Sequence, residues 1–240
     1  MTTTEAIVVP ELYVGYPTVA FGGYVAGVLA RRSDDAKPVR VDFRGPVPVE
    51  VPVPIAETPG GGWQLGESGR PLATASPGEL SADVPDAPSL AEALAAAEAF
   101  RADPPPGVVD CFGCGPDRTP DRGLRQHCTV VPGRDVVAAA WVPSPALADA
   151  GGEFPPELVW GALDCPGNWA GCLLGTQRPG AVTASLTGTL LRPVRAGEPY
   201  ISYAWLLGES GRKHTMGVAL ATADGTLCAH AEALWLDPRT

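Results

Sequence analysis

Ala181-Val182-Thr183-Ala184-Ser185-Leu186-Thr187-Gly188-Thr189-Leu190-Leu191, followed by Arg192-Pro193-Val194-Arg195-Ala196-Gly197-Glu198-Pro199, decides the fold class of this 240-residue chain. The first part is rich in β-branched and apolar residues and carries no charge, which is the text of a strand; the second turns the chain back. Three more runs of strand character follow: Tyr200 to Leu207, Lys213 to Thr222 and Thr226 to Leu236. Asp224-Gly225, between the last two, is a strong hairpin signal. Upstream, Glu157 to Leu174 carries helical spacing with interruptions. One helix followed by several antiparallel strands is an α+β layout, not a doubly wound one.

The same order occurs earlier in the chain. Phe21-Gly22-Gly23-Tyr24-Val25-Ala26-Gly27-Val28-Leu29-Ala30 reads as a helix, followed by strand-like Val39 to Arg44, Val47 to Ile55, Trp63 to Leu65 and Leu72 to Ala75. Two echoes support a repeat: Phe43-Arg44-Gly45-Pro46-Val47 beside Leu191-Arg192-Pro193-Val194, and a shared hexapeptide. Leu-Gly-Glu-Ser-Gly-Arg stands at 65–70 and again at 207–212, but aligning Gly69–Ala75 with Gly225–Ala231 gives each half a closing strand and is preferred. Proline clusters at 85–88 and 104–106 flank Ser89-Leu90-Ala91-Glu92, a capping box that opens an Ala/Glu-rich surface helix. The expected organisation is an N-terminal half over 1–80, a linker with a short helix over 81–107, and a C-terminal half over 108–240.

A net charge of −10, from 17 basic and 27 acidic residues, argues against a duplex nucleic acid as partner, which needs a basic face. It leaves room for a small phosphorylated ligand held by a few arginines. Hydrophobic content of 45% excludes wholesale disorder, and 29 Gly with 27 Pro call for many turns. Met1-Thr2-Thr3-Thr4-Glu5 lacks the basic region of a secretory signal, so a cytoplasmic location with reduced thiols is expected. The uncharged run Leu12 to Ala30 is interrupted by Pro17 and four glycines, so it reads as a strand or turn and a buried helix, with no membrane role.

On these residues the chain resembles the hotdog thioesterase superfamily. Val182 to Arg195 and Gly197-Glu198-Pro199 look like the family's first long strand and its exit turn. Asp224-Gly225-Thr226-Leu227-Cys228-Ala229 resembles the final hairpin. Cys111-Phe112-Gly113-Cys114-Gly115-Pro116, with Gly123-Leu124, is similar to a lead-in found in many members. Phe21-Gly22-Gly23-Tyr24 resembles the helix entry of double-hotdog acyl-CoA thioesterases. The resemblance implies a double hotdog, two sheets each wrapping a helix in one chain. An acyl-CoA or related thioester would lie between the halves, and no cofactor is implied.

Thioester hydrolysis needs a polarised carbonyl and an activated water or nucleophile. Amides at a helix start can polarise the carbonyl. The resemblance assigns this to Gly23 and Tyr24, with Gly22 allowing close approach; tight helix packing explains the same glycines. Asp164 is the best carboxylate, since it lies in the apolar segment Trp160 to Trp169, where a charge needs a purpose or a partner. It falls where the family places its helix aspartate, with Asn168 close behind. Because Pro166 is awkward in mid-helix, Asp164 also suits an N-cap. Thr183 occupies the place of the family's strand threonine. The family's last-strand glutamine is not matched: Ala233 stands there, with Glu232 on the opposite strand face. Glu157, two turns before Asp164, is a reserve base or a first-turn residue.

Cys111-x-x-Cys114 raises zinc or redox chemistry. No second Cys or His pair has the matching spacing, and His127-Cys128 is the nearest candidate, so no metal is expected and a turn at the mouth of the site is preferred. His214 and His230 read as satisfied strand histidines. Arg178, Arg192, Arg195, Arg212 and Lys213 read as surface residues, some able to meet a coenzyme A phosphate. Trp160, Trp169, Trp205 and Trp235 read as core. The expected activity is acyl-CoA hydrolysis. A non-catalytic acyl or small-molecule binder is the alternative, and a hydratase or dehydratase of the same fold ranks third. A homo-oligomer is compatible with these residues.

Overall fold

A computed structural model describes residues 5–33 and 37–239 of the chain. Residues 1–4, on which the leader reading rests, lie outside the described residues. In chain order the elements are β1 (Ala6–Ile7), a 3-10 turn (Glu11–Tyr13), β2 (Val14–Tyr16), β3 (Val19–Ala20), α1 (Gly22–Ala30), β4 (Val39–Phe43), β5 (Val53–Glu57), β6 (Trp63–Glu67), β7 (Arg70–Pro77), α2 (Leu90–Ala102), β8 (Thr129–Val130) and β9 (Val137–Trp141). A second 3-10 turn (Pro145–Leu147) precedes α3 (Pro156–Ala162), α4 (Cys165–Leu174), β10 (Val182–Leu190), β11 (Tyr200–Ser210), β12 (Lys213–Thr222) and β13 (Leu227–Leu236).

Eleven strands make one sheet in the order β1-β5-β6-β7-β4-β10-β13-β12-β11-β9-β8, and β2 with β3 forms a separate ribbon. The seam is the antiparallel pair β4–β10, running from Asp42 opposite Ser185 to Val39 opposite Gly188. Moving outward from it, one side reads β4, β7, β6, β5, β1 and the other β10, β13, β12, β11, β9, with β8 as an extra edge strand. The two halves therefore share one strand order, and joining them at the seam covers an edge on each that would otherwise be unpaired. This order also decides between the two alignments of the halves. Residues 65–70 span the β6–β7 turn and residues 207–212 the β11–β12 turn, which are not equivalent places. Gly69–Ala75 and Gly225–Ala231 both lead into the closing strands β7 and β13.

α1 lies against α3, and glycine sets their spacing. A Cβ on Gly23 would sit 2.8 Å from the Gly161 Cα, and one on Gly27 would sit 2.5 Å from the Glu157 Cα. The four-residue spacing of Gly23 and Gly27 puts both on one helix face. α4 packs on β11 and β12, where Trp169, Ala170, Met216 and Val218 join Leu29, Val41, Leu65 and Leu186 in the main core.

α2 carries the capping box foreseen in the sequence: the Ser89 hydroxyl accepts from the Glu92 amide, and the Glu92 carboxylate accepts from the Ser89 amide. It is not a purely exposed connector. Ala93 and Ala96 form a second core with Ile201, Tyr203 and Ala219, while Phe100 reaches the main core. Strand alternation explains the division: Tyr200 and Ala204 face the main core, and Ile201 and Tyr203 face α2.

Two strands depart from their sequence pattern. Val47 to Ile55 was expected to be extended throughout, but the regular strand begins only at Val53. Pro46, Pro48 and Pro52 lack the N–H that a ladder requires. β9 gave no strand signal because its middle is Ala138-Ala139-Ala140, a poor strand former. Leu12 to Ala30 divides into β2, β3 and α1, and no helix among the described residues is long and apolar enough to cross a membrane.

Candidate functional site

A cavity of about 450 Å³ opens where the start of α1, the start of α4, the beginning of β10 and the end of β13 converge. Its volume lies in the roughly 300–1,000 Å³ range of small-molecule pockets. Val19, Val25, Phe43 and Val47 wall it from the first half, and Trp169, Val182, Trp235 and Leu236 from the second. Gly22, Asp164, Asn168 and Thr183 contribute polar groups to the same space.

Asp164 is the centre of the arrangement. Its side chain is only 1% exposed. It occupies the N-cap position of α4, between α3 and α4, yet its carboxylate makes no capping hydrogen bond. The Gly23 amide instead donates to Oδ2 at 2.7 Å, and the Thr183 hydroxyl donates to Oδ1 at 2.8 Å. The carboxylate thus links the first-half helix to the second-half strand across 141 and 19 residues of sequence. Burial pushes its pKa up to about 7; the Thr183 and Gly23 hydrogen bonds oppose that shift, and the neighbouring Cys111 adds to it.

The local chain explains why the acid sits there. Pro156 at the start of α3 and Pro166 at the start of α4 both occupy first-turn positions where a missing N–H costs nothing. A single helix running through Pro166 would clash with the carbonyl four residues back, so the chain breaks at Leu163-Asp164. Gly22 and Gly23 leave room for the carboxylate: a Cβ on Gly22 would lie 3.1 Å from Oδ2, and one on Gly23 would lie 2.8 Å from the Asp164 Cβ.

Gly22, Asp164, Thr183 and Asn168 therefore line one cavity, and Gly23 joins them from behind through its amide. Gly23 differs from the expectation in one respect: its amide is engaged by Asp164. The Tyr24 ring stacks on Tyr13 at 3.9 Å between centroids. Asn168 accepts from Gln177 Nε2 at 2.8 Å, a buried partner that the sequence reading missed, and nothing in Gly175-Thr176-Gln177-Arg178 announces it. Tyr16, also missed, lines the cavity and donates to the Ala181 carbonyl at 2.9 Å; burial pushes its pKa up to about 12.

Other candidates lie elsewhere. Glu157 pairs with Arg31 at 2.6 Å and does not join Asp164. Glu232 holds the Ser81 and Ala82 amides at 2.6 and 2.8 Å, and the buried Ala233 leaves no polar group at the last-strand position. His214 is buried, with Nδ1 2.9 Å from Glu209 and Nε2 3.4 Å from Asp237. Arg178 pairs with Asp237 and Arg195 with Glu153, while Arg192 and Lys37 border a second groove beside α3. Trp160 and Trp205 are core, whereas the equally buried Trp169 and Trp235 also wall the cavity.

Cys111 and Cys114 are not alone at the cavity. Cys165, the first residue of α4, brings a third sulfur beside them, and all three line the cavity. All six cysteines are free thiols.

No protein-family model matches the chain, and no curated protein matches it. Solved structures do. The crystal structure of a putative thioesterase II from Thermobifida fusca YX aligns over 99% of this chain and 97% of its own, with a TM-score of 0.58 and 18% identity. An acyl-CoA thioesterase II from Mycobacterium marinum aligns over 99% and 96%, with a TM-score of 0.57 and 14% identity. A conserved protein of unknown function with hot dog fold from Alicyclobacillus acidocaldarius aligns over 100% and 95%, with a TM-score of 0.52 and 14% identity. The chain therefore has a largely antiparallel hotdog-type fold, similar along its whole length to thioesterase structures. At this level of identity the likeness is one of fold.

Proposed function

We propose that the chain is a double hotdog and hydrolyses an acyl thioester, most simply an acyl-CoA, held in the cavity between its halves. One observation carries the reading: a buried carboxylate, Asp164, sits on an apolar cavity wall and takes its two hydrogen bonds from opposite halves of the molecule. Burying a charge is costly unless it is paired or used, and among the described residues no cation faces it.

In this reading Asp164 is the general base. Each of its oxygens accepts one protein hydrogen bond and keeps a further lone pair for a water. Thr183 fixes the plane of the carboxylate, and Asn168, held by Gln177, lies on the same wall to orient the water or the thioester. The water attacks the acyl carbon. The developing oxyanion is met by first-turn amides of α1, which have no intrahelical partner and lie at the positive end of the helix dipole. Gly23 anchors the base in the ligand-free state, so Gly22 and Tyr24 carry the larger share of that task. Collapse of the tetrahedral intermediate releases the thiol and the carboxylic acid.

A panel of acyl-CoAs of increasing chain length, followed with a thiol reagent, tests the activity. Asp164→Asn separates base chemistry from binding. A second reading, a non-catalytic acyl binder, is favoured by Ala233, which leaves the water without the third polar partner that the family resemblance implies. Thermal stabilisation by acyl-CoA with no product released would select that reading.

A further inference from the structure

We propose that Cys111, Cys114 and Cys165 form a zinc site whose fourth coordination position faces the cavity. The three sulfurs lie within 4.8 Å of one another, and each cysteine is buried. A tetrahedral ion with bonds of about 2.3 Å to sulfur holds its sulfurs about 3.8 Å apart. Cys111 Sγ lies 3.8 Å from Cys165 Sγ.

The surrounding backbone is shaped for thiolates. Cys111-Phe112-Gly113-Cys114-Gly115 is a tight knuckle: the Gly115 amide donates to the Cys111 carbonyl at 2.7 Å, and the Gly113 amide donates to Cys111 Sγ at 3.2 Å. Amides that donate to sulfur stabilise the anionic ligand and fix its direction. Gly113 is required at its place, because a Cβ there would stand 2.4 Å from Cys165 Sγ. The buried indole N–H of Trp169 lies against Cys114, where a thiolate would accept from it more strongly than the neutral thiol does.

Three ligands with one open position are what a soft divalent ion needs in order to stay bound and still meet a fourth ligand from solvent or substrate. On binding, the three thiol protons leave to solvent and the ion takes their place. Two of the ligands come from the loop between α2 and β8 and the third from the first turn of α4, one residue after Asp164. The ion would therefore clamp this loop to the helix start that carries the acid. Counting ligand pairs along the sequence misses the site, because the third sulfur lies 54 residues from the first.

The proposal is independent of the hydrolase reading, and its test does not use activity. Full-length protein is purified without chelator, reconstituted with zinc and dialysed into zinc-free buffer. Metal analysis and native mass spectrometry should then find one zinc per chain. Cys114→Ser and Cys165→Ser should each lower the retained zinc at least tenfold, while Cys228→Ser, a buried thiol in β13, should keep it. Cobalt(II) added to the wild-type metal-free protein should give thiolate-to-cobalt charge-transfer absorption and the intense visible bands of tetrahedral coordination, a readout that does not depend on a variant folding. Wild-type protein that remains metal-free after reconstitution, whether with free thiols or with a Cys111–Cys165 disulfide, overturns the proposal. Zinc retained undiminished in Cys165→Ser overturns it as well.

Discussion

The two halves share a strand order but not a helix. In the first half the sheet wraps α1, nine residues without a break. In the second, the corresponding segment is divided into α3 and α4, with Asp164 at the division. α1 contributes no acid; it contributes glycine and free amides. The broken segment contributes the carboxylate, and because its side chain does not cap its own helix, the carboxylate is available to the other half. The shared strand order frames the cavity, and the asymmetry between the helices places a donor on one side of it and an acid on the other.

The most severe way to break this comparison is to neutralise the acid. Asp164→Asn preserves shape and should lower kcat by about 100-fold or more, the usual contribution of a general base, with little change in KM. Turnover equal to wild type would remove Asp164 from the mechanism. Next is the contact that joins the helices. Gly27→Ala places a Cβ 2.5 Å from the Glu157 Cα, and overpacking of this kind costs about 1–3 kcal/mol in denaturant unfolding. Gly60→Ala, with nothing within 4 Å, should be close to neutral. Equal losses in the two variants would show that glycine does not set the helix spacing.

Thr183→Val removes the hydroxyl that binds Oδ1 while leaving the acid in place. It should lower kcat about tenfold, as expected for one hydrogen bond to a charged group, and it should leave the fold intact by circular dichroism. The smallest effect sharpens the contrast between N-caps. Ser89 caps its helix through its own side chain and Asp164 does not. Ser89→Ala should lower Tm by about 2–4 °C without touching turnover. Loss of activity in that variant would tie α2 to the site.

Short-range chemistry made much of this legible in the sequence. Lys213 to Thr222 was read as a strand and is β12 residue for residue, since its alternation is local. Gly225 adopts a φ of +87° in the turn that Asp224-Gly225 announced. The importance of Asp164 could be suspected from one charge in an apolar run. Whether that residue capped its helix or faced a site could not be decided from the sequence, because both readings use the same neighbours.

Sequence periodicity and turn chemistry, then, determined the element types, the repeated order and the short list of polar residues worth watching. Only the tertiary structure decided the β4–β10 seam, the Gly23–Asp164 hydrogen bond, the Asn168–Gln177 pair and the convergence of Cys165 on Cys111 and Cys114. A residue's dihedral preferences and burial pattern are set by its near neighbours and so are written along the chain. The partner that a side chain meets across a core is chosen by the packing of whole sheets and helices, and no local window of sequence contains it.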